Sequence, residues 1–153
     1  MSSGAFSFCN GNMIYDIADG SFIQLQNNLS LRINGIPLAG MKYTDFIIPS
    51  IQNATVLCDV RRLPYQTFVV IRIEVDANKT LADVTQLVNN LPPRDDSFAF
   101  DQVFMIFRYY PSVAILSGGQ YYNRGFLMNH GSLAGGSNGN QYVCQFNYPS
   151  LPT

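Results

Sequence analysis

The chain has 153 residues and a formal net charge of −1, with only 12% charged residues against roughly 25% in ordinary soluble domains. That length suits a single domain over residues 1–153 with a core of its own. The near-neutral balance provides no field for nucleic acid or an anionic membrane surface. Such thin charge fits either an Asn/Ser/Gln-rich surface over an ordinary core or a surface partly covered by other subunits.

No apolar run approaches the roughly 18 residues of a membrane span. The opening residues MSSGAFSFCNG lack the charged and long apolar regions of a signal peptide. The first basic residue is Arg32, so no basic N-terminal arm is expected. Cys9, Cys58 and Cys144 are odd in number and widely spaced, a poor disulfide framework, and are read as buried free thiols.

In chain order, residues 1–12 are small and polar and read as irregular. Met13–Ile17 and Ser21–Gln26 flank Asp19-Gly20, a tight-turn dipeptide, and so predict a hairpin. Leu29, Leu31 and Ile33 alternate with polar residues in a half-buried strand that Asn34-Gly35 ends. Pro37 and Gly40 mark a turn, Tyr43–Ile48 a short strand cut by Pro49, and Ala54–Val60 another strand. Thr67–Val75 is the clearest strand: Thr67, Val69, Ile71, Ile73 and Val75 share one face, and Arg72 and Glu74 tip the other towards solvent. After Asp76-Ala77-Asn78, the spacing of Leu81, Val84, Leu87 and Val88 predicts one short helix. Thr80 or Asn78 would be its N-cap and Asp83 would lie in its first turn; a loop turn over a barrel end fits equally.

The most apolar and aromatic stretch follows Pro92-Pro93 and Asp95-Asp96. Gln102–Tyr110 (QVFMIFRYY) is β-branched and aromatic throughout, which predicts a strand. Its two faces, Val103, Met105, Phe107, Tyr109 and Phe104, Ile106, Arg108, Tyr110, are both largely apolar. Such a strand belongs inside a sandwich or between a sheet and a neighbouring subunit; Phe104 and Ile106 are the expected oligomer-interface residues. Ser112–Ser117 is predicted as the next strand, closed by a Gly118-Gly119 turn with Gln120-Tyr121-Tyr122 returning. Arg124–His130 continues the sheet, Gly131–Asn140 is a flexible loop, and Gln141–Tyr148 is the last strand, with Tyr142, Cys144 and Phe146 on one face. Short strands separated by turn signals make the expected fold all-β: an antiparallel, jelly-roll-like β-sandwich with at most one short helix.

Catalytic chemistry finds no signature. The single histidine, His130, and the absence of a CxxC pair exclude multi-His and Cys-pair zinc sites. No nucleophile or orienting carboxylate accompanies His130 in a motif. Asp16/Asp19 and Asp95/Asp96 are better explained by turns and solvated loops than by glycosidase or calcium chemistry. No metal or cofactor is therefore expected. Tyrosines near Arg108 and Arg124 could stack bases, but without a basic groove the phosphate attraction is missing. The same Tyr, Asn and Arg chemistry suits sugars and protein surfaces, and any single tyrosine is as well read as a packed strand residue.

Leu91-Pro92, Val113 with Ile115, Gly119 with Tyr121, and Tyr142 through Pro149 form a pattern of breaks, a short hairpin and a final aromatic strand. In this pattern the C-terminal third resembles the receptor-binding heads of phage tail fibres and baseplates. The resemblance implies a non-enzymatic, homotrimeric β-sandwich on a virion or extracellular particle surface, recognising a cell-surface saccharide or protein. The alternatives are a capsid or decoration subunit of a virus-like particle, and a small lectin-like or hydrolytic domain. Loops at one end of a sandwich cluster, and loops carry binding residues. Tyr121, Tyr122, Asn123, Arg124, Asn129 and His130 are therefore the expected receptor contacts, with at most one of the two tyrosines facing the ligand.

Overall fold

A computed structural model describes residues 5–9, 12–16, 22–25, 31–97, 102–114, 116–122 and 125–151. The described chain is all-β, antiparallel and sandwich-like, with no helix. An N-terminal meander joins β1 (Ala5–Cys9), β2 (Asn12–Asp16), β3 (Phe22–Leu25), β4 (Leu31–Ile33) and β5 (Ile36–Pro37) in sequential order. The residues read as irregular thus include a strand. The β2–β3 pairing is the predicted hairpin, although Asp19-Gly20 itself lies outside the described residues. Asn34 and Gly35 both take positive φ, 50° and 82°, and close the β4–β5 hairpin, the backbone a two-residue turn requires.

The main sheet has eight strands. They are β6 (Met41–Tyr43), β7 (Ala54–Arg62), β8 (Gln66–Val75), β10 (Gln86–Val88), β11 (Gln102–Tyr110), β12 (Leu116–Tyr122), β13 (Phe126–His130) and β15 (Asn140–Pro149). Their spatial order is β10-β13-β12-β11-β15-β8-β7-β6. The sheet curls until its two rims meet. Just past β6, Ile47 exchanges backbone hydrogen bonds with Asn89 at 2.9 and 2.7 Å. The Tyr43 hydroxyl donates to the Asn90 carbonyl at 2.8 Å, and the Asn90 amide to the Asp45 carbonyl at 2.7 Å.

The closure surrounds the main core cluster of the described residues. β8 buries the face predicted for it, Thr67 through Val75, and β15 buries Tyr142, Cys144, Phe146 and Tyr148. An aromatic stack runs through the core: Phe104 on Phe146 at 4.6 Å, Phe146 near Tyr148 at 6.0 Å, Tyr148 on Tyr121 at 4.2 Å between ring centroids. One end is covered by the ribbon of β9 (Thr80–Leu81) with β14 (Leu133–Ala134), which brings Leu81 and Leu133 into the core. At the other end the carbonyl of Pro92 accepts two buried hydroxyls, from Tyr121 at 2.7 Å and Tyr148 at 2.6 Å.

Four expectations change. The segment predicted as a helix is two short strands around a turn, because Val84 adopts φ 58°. The Asn129 side chain holds that turn: its Oδ1 accepts from Thr85 N at 2.8 Å and its Nδ2 donates to Ala82 O at 3.0 Å. Gly118-Gly119 is the middle of β12, not a turn, and Ser112–Ala114 precedes the strand. A Cβ on Gly119 would stand 2.2 Å from Phe104 Cζ; the glycine makes room for that ring. The Gly131–Asn140 loop contains β14 and closes a barrel end. Finally, Phe104 and Ile106 pack in the chain's own core at 5% and 0% exposure, out of a partner's reach. The exposed side of β11 is the other one, Val103, Met105, Phe107 and Tyr109.

Candidate functional site

The expected receptor contacts, read from the sequence as turn and loop residues, fall, where described, on the antiparallel β12–β13 strand pair, and alternation divides them. Gln120 pairs with Met128, Tyr121 with Leu127 and Tyr122 with Phe126, so adjacent residues on each strand point to opposite faces. Tyr121 is fully buried, stacked on Tyr148 and hydrogen-bonded to Pro92. Burial pushes the hydroxyl pKa of both tyrosines up. Asn129 is also fully buried; besides holding the 82–85 turn, its amide donates to Gly131 O at 2.9 Å. Neither residue is available to a ligand, because each already satisfies buried backbone groups that water cannot reach. Asn123 and Arg124 lie outside the described residues.

Tyr122 and His130 remain, on the outer face. The Tyr122 ring stacks on Phe126 with centroids 4.8 Å apart. His130 Nε2 lies 3.2 Å from Gln120 Oε1 and 3.4 Å from the Tyr122 hydroxyl. When Nε2 carries the proton it donates to the Gln120 amide oxygen; in the other tautomer it accepts from Tyr122. Ser117 Oγ donates to the His130 carbonyl at 3.1 Å and ties the end of β13 to β12. The result is a small platform of paired rings with an amide, an imidazole and a phenol at its margin, mounted on two paired strands. Gln120 and Phe126 escaped the sequence reading; their signal was the same alternation, once Tyr121 is known to point inward.

A second surface feature was not read from the sequence at all. A cleft of about 540 Å³ is walled by Ile33, Leu38, Leu63, Pro64, Tyr65 and Pro149, with the amides of Gln66 and Asn147 at its side. Asn147 Nδ2 donates to Gln66 Oε1 at 2.9 Å. Only folding brings β4 and the turn after β5 next to the β7–β8 turn.

The remaining chemistry-bearing residues serve structure. Cys58 and Cys144 are free and flank Ile71 across β8. Desolvation is the main cause that pushes each thiol up to about 12, with nearby Asp59 adding to Cys58 and Cys58 adding to Cys144, which suppresses thiolate reactivity. Asp95 accepts from the Ser97 backbone N–H at 3.0 Å, and this hydrogen bond holds its carboxyl below the usual range. Asp95 thus holds a local turn within the loop that follows Pro93. Among the described residues no three His, Cys, Asp or Glu side chains gather into a metal site. No protein-family model, no curated protein sequence and no solved structure matches the chain.

Proposed function

We propose that this protein is a non-enzymatic attachment head of viral or phage type, recognising a cell-surface saccharide or protein. The observation that supports the reading is the β12–β13 platform. Tyr122, Phe126, Gln120 and His130 stand together on the outside of a rigid, paired strand hairpin. Ring faces fixed in place provide contact area at low entropic cost, and the amide, imidazole and phenol supply directional hydrogen bonds. That combination suits a sugar ring or a polar protein surface better than an apolar metabolite.

Binding of the purified protein to host-cell surfaces and immobilised glycans tests the proposal. Tyr122→Ala and His130→Ala should stay folded and lose at least about tenfold in affinity, equivalent to about 1.4 kcal/mol. Tyr121→Ala should instead destabilise the fold by about 3–5 kcal/mol through the cavity it leaves. Unchanged binding by both outward variants would place recognition elsewhere. The runner-up reading, a capsid or decoration subunit, draws on a different observation, the apolar outer face of the same sheet.

A further inference from the structure

The cleft beside the β7–β8 turn is built on the paired ends of β8 and β15. Gln66 opens β8 and lies opposite Pro149, while Phe68 lies opposite Asn147. Thr67 and Tyr148, between them, are buried, so Gln66, Asn147 and Pro149 stand on the outer face. The turn that carries Tyr65 is fastened on both sides. Leu63 N donates to Gln66 O at 2.8 Å, and Ser150 N donates to Tyr65 O at 3.1 Å. Tyr65 still leaves 56% of its surface open. A ring carried on so fixed a turn meets a ligand at little ordering cost.

We infer that this cleft binds a neutral sugar ring bearing its own methyl group, a 6-deoxyhexose at the end of a glycan. Three features of the lining select that class. The first is charge. No ionised side chain is among the described residues that line the cleft, so an anionic or cationic ligand would give up hydration there without gaining a partner.

The second is the amide pair. Asn147 Nδ2 donates to Gln66 Oε1 at 2.9 Å, and among the described residues neither amide has another partner. Whichever way the two amides are turned, that bond leaves one whole NH2 and one whole carbonyl oxygen unused. Adjacent ring hydroxyls match both, because a hydroxyl accepts from the first and donates to the second. A proline-rich peptide does not, since proline has no N–H to offer the carbonyl.

The third is the aliphatic wall of Ile33, Leu38 and Leu63. The C–H face of a pyranose covers the Tyr65 ring, and the methyl group packs against these side chains. An ordinary hexose brings a hydroxyl to the same place, where no side chain of the wall can hydrogen-bond it. The volume of about 540 Å³ lies within the roughly 300–1,000 Å³ of small-molecule sites.

The assignment does not rest on the β12–β13 platform, and the two fail separately, because Tyr122→Ala and His130→Ala leave the cleft whole. Saturation-transfer NMR on the full chain tests it. L-fucose and L-rhamnose are each set beside the 6-hydroxy counterpart, L-galactose and L-mannose. At about 10 mM, above a millimolar Kd, one or both deoxy sugars should take up saturation, most strongly at the methyl group. Each that binds should do so at least about tenfold more tightly than its counterpart. Tyr65→Ala and Gln66→Ala should each weaken binding at least about fivefold with an unchanged circular dichroism spectrum, whereas Tyr122→Ala should not weaken it. The proposal is overturned if neither deoxy sugar is saturated, if the 6-hydroxy sugars bind as well, or if either folded cleft variant binds like the wild type. Capture of a proline-rich peptide in place of the sugars overturns it too.

Discussion

The two faces of β11 are nearly interchangeable as sequence and opposite in consequence. Phe104 and Ile106 lie at 5% and 0% exposure against Phe146 and the core, while Val103 and Met105, one residue away on either side, stand largely in solvent. Composition does not separate them, since each face offers large apolar side chains. What separates them is the space opposite. Gly119 on β12 vacates room for the Phe104 ring, and no residue of the described chain fills the space over Val103. A side chain's burial is therefore decided by its neighbours across the ladder as much as by its own chemistry.

Substitutions can break that comparison or sharpen it. Phe104→Asp should have the largest effect, because it strands a carboxylate in the core; a loss of several kcal/mol, about 4 or more, is expected in urea unfolding. The same change at Met105 should move stability by less than about 0.5 kcal/mol in the same measurement. If the two cost the same, the assignment of inner and outer faces is wrong. Gly119→Val attacks the contact from the other side, and the overlap with Phe104 should cost about 3 kcal/mol.

Tyr121→Phe and Tyr148→Phe each remove one hydroxyl from the shared Pro92 carbonyl. Each should cost about 1 kcal/mol, and the pair should depart from additivity because the acceptor is common. A double-mutant cycle measures the coupling.

Alkali probes the core without mutation. Cys144 has its thiol pushed from 9.0 to about 12 in the folded chain. Between those values the unfolded chain has released a proton that the folded chain keeps, so stability is full below pH 9 and declines as pH rises towards 12. The slope from that thiol is up to about 1.4 kcal/mol per pH unit, and Cys144→Ala should flatten it in pH-dependent unfolding. One substitution is expected to give a gain. Val84 is β-branched at φ 58°, and Val84→Asn or Val84→Gly should stabilise by about 1 kcal/mol, visible as a raised thermal midpoint.

Where charges mark one face of a strand, as Arg72 and Glu74 do along Thr67–Val75, alternation in the sequence sufficed to set which side is buried. The Asn34-Gly35 turn was equally legible, because positive φ is a local demand. The segment 80–90 misled because its conformation is imposed from far away: Thr85 N is captured by Asn129, 44 positions along the chain, against an intrinsic spacing that suits a helix. Distance also explains the platform. Alternation showed that Tyr121 and Tyr122 must diverge, but the inward one is chosen by Pro92 and Tyr148. Asn129 was read as a loop residue for the same reason; its partners at 82, 85 and 131 exist only after folding.

The meeting of Ile47 with Asn89 has a consequence for how copies of this chain can grow into larger bodies. The rim strands β6 and β10 of the eight-stranded sheet are three residues each, and the backbone just beyond them is engaged across the seam. No long row of idle amides and carbonyls is left at these rims to template a foreign strand, the usual route to open-ended fibrils. Any contact between copies through this sheet is therefore made by outward side chains and not by an extended backbone ladder.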